Sequence, residues 1–593
     1  MKYLGFGVDG GSTYCSVSSL GDDGQLRPFV AQGMSSPYLP SIVSKKVRRG
    51  SGVYEFAFNA KTAAAAPNCR SWTGWKLLLA EPREEILAER GYTEPDTPTE
   101  ICRRYYDYVF SAVTRNFEIP ELEEVAIGVP ESWLRRESTY DARTQLLEIC
   151  KSIPKVGRVR LVSEPVAACA YFVHKYRQMA GRPFHGHCFV FDAGGGTLDL
   201  TVCEADENGA RSRIRGVFRT GVGENVDRSL GASGIAYMEE VVLLALEGLT
   251  GRGAEEIVRG PKFQSYVRAV ETALLGDSGE NLESLAKEQG RECTSISENL
   301  RALREIYALG GMEEIGETAF SIDFYGLDGE EPEDDALDIS YGLLMKAYNR
   351  RIAPVVGREL AAVRAFLNDP ANGIRWQAAD AARQEKSGEG LFRVILCGGF
   401  SNFPLVEAQV KEELGWQEGF DPCFDQQFDQ AERAMAVSYG LTLAANHIIE
   451  VIQTSPFSLG FVLNDGEKAY VIRKDDVVRE GQPCYLPYPC TGNKITEIVF
   501  NLTDDPAFEQ KVYIAKALEE QFTIGVDTMF QIGFSLDESL LLSLHIVPVR
   551  PELDDSVFPP KYRFLEAGNH EMRRLGMLRD LYDGLAVLKP KGE

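Results

Sequence analysis

Phe189-Val190-Phe191-Asp192-Ala193-Gly194-Gly195-Gly196-Thr197-Leu198-Asp199 reads as an apolar strand, an aspartate, a run of glycines, a hydroxyl residue and a second strand. The same order occurs near the N-terminus, in Gly5-Phe6-Gly7-Val8-Asp9-Gly10-Gly11-Ser12-Thr13-Tyr14. In each copy a buried strand (Tyr3 to Val8, or Cys188 to Phe191) carries an aspartate to a sheet edge. Glycines then allow a sharp turn and a close approach of backbone to an anion, with no Cβ in the way. Consecutive free N–H groups in such a turn make an anion-binding nest, and Ser12, Thr13 and Thr197 add hydroxyl donors. Two such loops facing each other form a clamp for the phosphates of a nucleotide. Asp9 and Asp192 cannot face phosphate oxygens unaided; they call for a hard cation, Mg²⁺ with its water shell.

Working outward, each glycine loop is followed by a hairpin pattern. Tyr14 to Leu20 alternates, Gly21-Asp22-Asp23-Gly24 turns and Leu26 to Val30 returns; Leu198 to Cys203 alternates, Asp206-Glu207-Asn208-Gly209 turns and Ile214 to Phe218 returns. Helical periodicity follows in both halves, over Pro98 to Phe117 and Tyr237 to Leu249. Strands, hairpins and helices recurring in this way imply a duplicated α/β domain with a mixed sheet in each copy. A third glycine turn, Cys397-Gly398-Gly399-Phe400-Ser401-Asn402-Phe403-Pro404, ends another buried strand. Ser401 or Asn402 is placed to cap the helix carrying Leu405, Val406 and Val410, and Gly398 and Gly399 let backbone approach the nucleoside.

Near Glu450 the pattern changes. A helix over Ala434 to Ile449 stops, and Pro456 bars its continuation. Short alternating runs follow: Ser458 to Leu463, Lys468 to Ile472, Ile495 to Leu502, Lys511 to Lys516, Met529 to Phe534 and Leu540 to Val547. They read as a small β-sandwich. Phe457, Leu459, Phe461 and Val462 either line a peptide cleft or pack its core. After Arg550 the pattern predicts one modest helix, about Leu565 to Leu585.

The 593 residues, 44 % of them hydrophobic, suffice for several domains with sizeable cores. A formal charge of −25 disfavours nucleic acid as a main partner, because phosphate contacts need a basic surface. The 12 cysteines include no CxxC pair, which fits a reduced, cytoplasmic setting. No signal segment and no apolar run of roughly 20 residues is found, so a membrane role is not expected. His185 and His187 have no further ligand nearby and read as a loop before a strand.

Taken in order, the three glycine segments resemble the nucleotide-binding domain shared by actin, sugar kinases and the seventy-kilodalton heat-shock chaperones, and the chaperone branch most of all. Asp9 to Tyr14 is similar to its first phosphate motif and Asp192 to Asp199 to its second. Pro37 to Val43, Ser163-Glu164-Pro165-Val166-Ala167-Ala168-Cys169-Ala170-Tyr171, Gly221 to Asp227 and Thr454 to Gly460 resemble further family segments. The resemblance implies an α/β fold with a two-lobed actin-like, ribonuclease-H-like ATPase over 1–449 (lobes 1–187 and 188–449). A linker at 450–455, a substrate-binding-like β-sandwich at 456–549 and a short helical tail at 550–593 follow. It implies ATP and ADP with Mg²⁺ as cofactors. Asp9 and Asp192 would be outer-shell metal anchors, and Lys76, Glu164, Asp192, Thr197 and Asp199 the catalytic set. Asp9, Gly10, Gly11, Ser12, Thr13, Tyr14, Gly194, Gly195, Gly196, Thr197, Gly223, Glu224, Gly398, Gly399 and Ser401 would surround the nucleotide. Departures stand beside these likenesses. Asn402 occupies the place of the family's base-stacking arginine, the base-facing basic helix has only Arg301 and Arg304 as candidates, and the large helical lid is missing.

The reading that results is a chaperone-like ATPase whose nucleotide state controls binding of a peptide or protein client, with a co-chaperone or nucleotide-exchange partner possible. The alternatives are a small-molecule kinase of the same superfold, a nucleotide-gated scaffold without catalysis, and an actin-like filament former.

Overall fold

The computed structural model describes residues 5–581, leaving out 135–141, 224–231, 276–302, 304–314, 328–335, 416–427, 463–467, 504–511, 516–521, 524–528, 555–560 and shorter runs of one to four residues. The chain is mixed α/β and divides into two compact units. One comprises Met1–Trp133 and Gln145–Val451; the other comprises Leu134–Thr144 and Ile452–Glu593.

The larger unit holds two main sheets. In the first, the order is Leu26–Pro28, Tyr14–Leu20, Gly5–Gly10, Leu122–Val129, Val156–Ser163, and Tyr38–Pro40 also pairs with Tyr14–Leu20. In the second, the order is Leu391–Cys397, Gly186–Ala193, Thr197–Asn208, Arg211–Gly223, Ile449–Ile452. Each sheet repeats one local plan. A central strand ending in the aspartate motif pairs antiparallel with the strand after its glycine loop and parallel with a strand from much later in the chain. Asp9 lies opposite Ser16, and Asp192 opposite Asp199.

Two glycines explain how the helix Gln430–Ala445 reaches its place. A Cβ on Gly7 would lie 2.1 Å from the carbonyl oxygen of Ser438, and one on Gly440 would lie 1.7 Å from that of Ala167. The helix therefore lies directly on the first strand and against the helix Glu164–Ala180. Polar contacts register it: Gly7 N–H donates to Thr442 Oγ1 at 3.0 Å, Ser18 Oγ–H to the Ser438 carbonyl at 2.7 Å, and Asn446 Nδ2–H to the Gly5 carbonyl at 2.9 Å. Phe6 and Val8, on the opposite face of the strand by its period of two, are buried.

The expected Ala434 to Ile449 helix instead spans Gln430–Ala445. Ile449–Ile452, which takes in the first half of the linker expected at 450–455, is an edge strand beside Arg211–Gly223. Its isoleucines gain ladder hydrogen bonds and burial there, which a free linker would lack. Pro456 lies outside the described residues.

In the second unit, Lys468–Ile472, Ser458–Val462, Ile498–Thr503 and Val512–Ala515 form one sheet, while Cys484–Tyr485, Met529–Leu536, Leu541–Asp554 and Lys561–Glu566 run through another. One apolar cluster joins Phe457, Leu459, Phe500 and Leu502 with Phe530, Phe534, Leu542 and Leu544 from both sheets. Phe457 and Leu459 are thus core residues, and Phe461 packs against them; the Val462 side chain lies outside the described residues. Of the helix expected over Leu565 to Leu585, the described residues Leu578 and Leu581 are helical, whereas the stretch before them is not. Lys561–Glu566 and Glu571–Met577 are strands, paired with successive halves of the 14-residue strand Leu541–Asp554. A long strand leaves a row of backbone groups to be satisfied, and pairing with these two strands satisfies it.

Candidate functional site

The two glycine loops meet. A Cβ on Gly195 would lie 2.2 Å from Thr13 Oγ1, and one on Gly196 would lie 2.4 Å from Ser12 Oγ. Around them is a cavity of about 590 Å³. Asp9, Gly11, Ser12, Thr13 and Tyr14 line it from the first loop; Asp192, Gly194, Gly195, Gly196 and Thr197 from the second; Gly398 and Gly399 from the third; and Lys76 and Glu164 join them.

Local structure presents each group. Ser41 braces the first loop, donating from its backbone N–H to the Thr13 carbonyl at 2.8 Å and from Oγ–H to the Gly11 carbonyl at 2.7 Å. The second loop is tied to the start of the helix Gly234–Thr250, through Gly234 N–H to the Gly194 carbonyl at 3.2 Å and Ile235 N–H to the Gly195 carbonyl at 3.0 Å. Gly398 has φ 81°, and a Cβ there would lie 2.5 Å from Asp192 Oδ1, so only glycine brings the third turn this close.

Lys76 is not a surface lysine. Gly74, at φ 65°, opens the short 3-10 turn Trp75–Leu78, and the buried Trp75 packs against Tyr105 and Tyr106 of the helix Pro98–Asn116. This anchor turns Lys76 inward, where it is 4 % exposed and donates to Glu164 Oε1 at 2.7 Å. Glu164 opens the helix Glu164–Ala180, whose N-cap is Ser163.

The site crowds carboxylates into a buried space. Burial pushes the Asp9 carboxyl up to about 7, with Glu164 adding to the rise and Lys76 opposing it. Burial and then the charges of Glu164, Asp199 and Asp9 hold Asp192 well above the usual carboxylate range. For Lys76, burial is the largest influence and favours the neutral amine, but Glu164, Asp9 and Asp199 outweigh it and its pKa is raised. The ammonium is therefore the charged form, and added positive charge in the cavity would favour ionised Asp9 and Asp192. Among the described residues, no group of three or more His, Cys, Asp or Glu converges as a direct metal site.

Several expected site residues stand elsewhere. Gly10 does not line the cavity; its missing Cβ makes room for the Tyr106 hydroxyl, 2.0 Å from where that atom would be. Asp199 is fully buried beside Asp192, its cross-strand partner, and acts on the site through its charge. Gly223 ends the strand opposite Thr197, away from the cavity lining. Ser401 turns its hydroxyl back to the Gly398 carbonyl at 2.7 Å, and the N-cap of the helix Pro404–Glu413 is Phe403, so neither Ser401 nor Asn402 caps it. Ser401 sits in the last turn of a 3-10 segment, Gly399–Asn402, that ends before the helix begins. Glu224, Arg301 and Arg304 lie outside the described residues.

Residues not anticipated complete the wall: Ile235, Met238, Val267, Glu271, Arg433 and Tyr439. Val267 and Glu271 project from one face of the helix Phe263–Leu275, one turn apart. The amphipathic period of Phe263, Tyr266, Val267, Val270 and Leu274 was the available signal for that helix. Arg433 holds Glu407 at 3.0 Å beside the third glycine turn, and its carbonyl accepts from Gly398 N–H at 3.0 Å.

No protein-family model matches the chain, and no curated protein matches it.

Proposed function

We propose that this chain is a divergent ATPase of the seventy-kilodalton heat-shock chaperone type, with two duplicated actin-like lobes and a C-terminal β-sandwich. The observation that carries the reading is the meeting of two glycine loops, each led by an aspartate, over a cavity that also contains a buried lysine–glutamate pair. Phosphoryl transfer to water rests on positioning and charge stabilisation more than on covalent chemistry. Loop N–H groups with Ser12, Thr13 and Thr197 cradle the phosphates. Lys76, held by Glu164, presents its ammonium to the γ-phosphate and stabilises charge developing there. Glu164, Asp9 and Asp199 together keep Lys76 protonated. Asp9 and Asp192 would hold Mg²⁺, which would supply the remaining charge neutralisation. Ile235, Met238, Val267 and Phe400 offer apolar surface to a base, in place of the family's arginine stack.

The lobes grip ATP and ADP differently, which such a switch requires. The strand Ile449–Ile452, at the edge of the sheet that carries Asp192, passes that difference to the C-terminal unit, which binds an extended peptide or a partner protein. The test is direct. The purified chain should bind ATP in the presence of Mg²⁺ and release phosphate slowly, and Asp192→Asn should abolish release while circular dichroism stays unchanged. Protease protection around 449–455 should differ between ATP and ADP. A phosphorylated small molecule in place of free phosphate would select a kinase of the same superfold, and absence of Mg-dependent ATP binding would end the proposal.

A further inference from the structure

One buried carboxylate near the site has no part in the scheme above. Glu131 follows Pro130 at the end of the strand Leu122–Val129 and is 2 % exposed. Burying a carboxylate is costly unless it is paired. Its partners come from both sheets. On the first-sheet side, Ser163 Oγ–H donates to Oε1 while the same hydroxyl accepts from Val166 N–H. On the second-sheet side, Thr201 Oγ1–H faces Oε1 at 3.5 Å and Arg219 Nη1 faces Oε2 at 3.5 Å. Thr201 and Arg219 are cross-strand neighbours in Thr197–Asn208 and Arg211–Gly223.

The two sides differ in tightness. The Ser163 bond is closed, whereas both second-sheet contacts stand at the outer edge of hydrogen-bond distance. A charge-assisted N–H···O bond settles at roughly 2.7–2.9 Å, so an approach of the sheets by less than 1 Å strengthens the Arg219 contact. Ser163 also caps the helix whose first residue, Glu164, holds Lys76. A pull on Glu131 is therefore delivered, through two bonds, to the pair that aims the ammonium.

We infer that Glu131 is a positioning residue: an inter-sheet latch that tightens on Arg219 as the sheets close on a nucleoside triphosphate, and so sets the Glu164–Lys76 pair for phosphoryl transfer. This rests on the ATPase reading. It predicts that Glu131→Gln and Arg219→Ala each lower kcat for phosphate release about tenfold and leave KM for MgATP within about twofold, because the latch acts on transition-state alignment and not on ground-state binding. The double variant should be no slower than either single one, and Arg219→Lys should recover part of the rate. Additive losses, a wild-type rate in Glu131→Gln, or a KM that rises as kcat falls would overturn the latch.

A second measurement separates this inference from the reading beneath it. Thermal melts of the four proteins of the cycle, without nucleotide, report whether Glu131 and Arg219 are coupled. If the wild type binds no MgATP, the ATPase reading falls. The latch then falls with it; where the wild type does bind MgATP, non-additive shifts keep the latch and additive shifts remove it alone. Should Glu131→Gln fail to fold, Arg219→Lys and Thr201→Val are read in the same two assays, with the same outcomes counting for and against.

Discussion

The strand before Asp9 and the strand before Asp192 do the same job with opposite materials. Gly5-Phe6-Gly7-Val8 is half glycine, and its glycine face is filled by the backbone of the helix Gln430–Ala445. Cys188-Phe189-Val190-Phe191 has a side chain at every position, and each is fully buried, with Phe189 and Phe191 in one core cluster and Cys188 and Val190 in another. Both strands nevertheless deliver an aspartate to the same cavity, with the same antiparallel and parallel neighbours. The pairing pattern and the terminal aspartate and glycines are what the site requires. How the strand is packed from behind is open to either solution.

The comparison breaks hardest at the position two residues before each aspartate. Gly7→Ala places a methyl 2.1 Å from a backbone oxygen that cannot move without shifting the helix, and the Gly7 N–H bond to Thr442 is strained with it. Overpacking of this kind should cost about 3 kcal/mol or more. Val190→Ala, at the matching place in the second strand, removes two buried methyl groups and should cost about 2 kcal/mol. Urea unfolding followed by circular dichroism checks both. Equal and small losses would show that the first strand is not held by that helix contact.

The second asymmetry is in charge. Both loops bring a carboxylate, but the ammonium that meets them comes from the first half alone, on the turn Trp75–Leu78. Lys76→Ala should lower phosphate release about 100-fold, the scale of losing one preorganised donor to developing charge. It should also leave Glu164 buried without its ion-pair partner, so some stability is lost. Lys76→Arg, which keeps the charge but not the compact shape, should recover little of the rate. A single-turnover phosphate assay separates these outcomes, and an unchanged rate in Lys76→Ala would favour a nucleotide-gated scaffold.

What was legible in the sequence follows the same division. The glycine loops, both hairpins, the helix Pro98–Asn116 and most strands of the C-terminal unit could be read because their signals are local: turn residues at fixed offsets and periods of 2 or 3.6. Lys76 and Glu164 were named through resemblance, yet their pairing across 88 residues could not be seen, since it depends on Trp75 packing against Tyr105 and Tyr106. Gly10 was read as an anion-approach glycine because a tyrosine from a distant helix leaves no local mark. The last strands were read as a helix for a related reason. Their pairing with the strand Leu541–Asp554 leaves no mark within their own residues.

The smallest effect sharpens the comparison by pH. Asp9 is raised from 3.8 to about 7 by burial, then by Glu164, with Lys76 opposing. Between those two values the folded chain binds a proton on Asp9 that the unfolded chain has released. Stability from this group is therefore fully present below about pH 4 and is lost as pH rises through 7. Asp9→Asn removes the titration while keeping the shape, so its melting temperature relative to the wild type should climb by a few degrees, on the order of 1–2 kcal/mol, between pH 4 and 7.5. The Asp192 carboxyl is shifted in the same direction, so Asp192→Asn should show the same sign of difference. On the proposed reading, MgATP would place positive charge between the two acids and shrink both differences at pH 7.5. If the Asp9→Asn difference were flat across this range, Asp9 would not be the crowded, buried acid of the first loop, and the two loops would differ in the one property on which their shared chemistry depends.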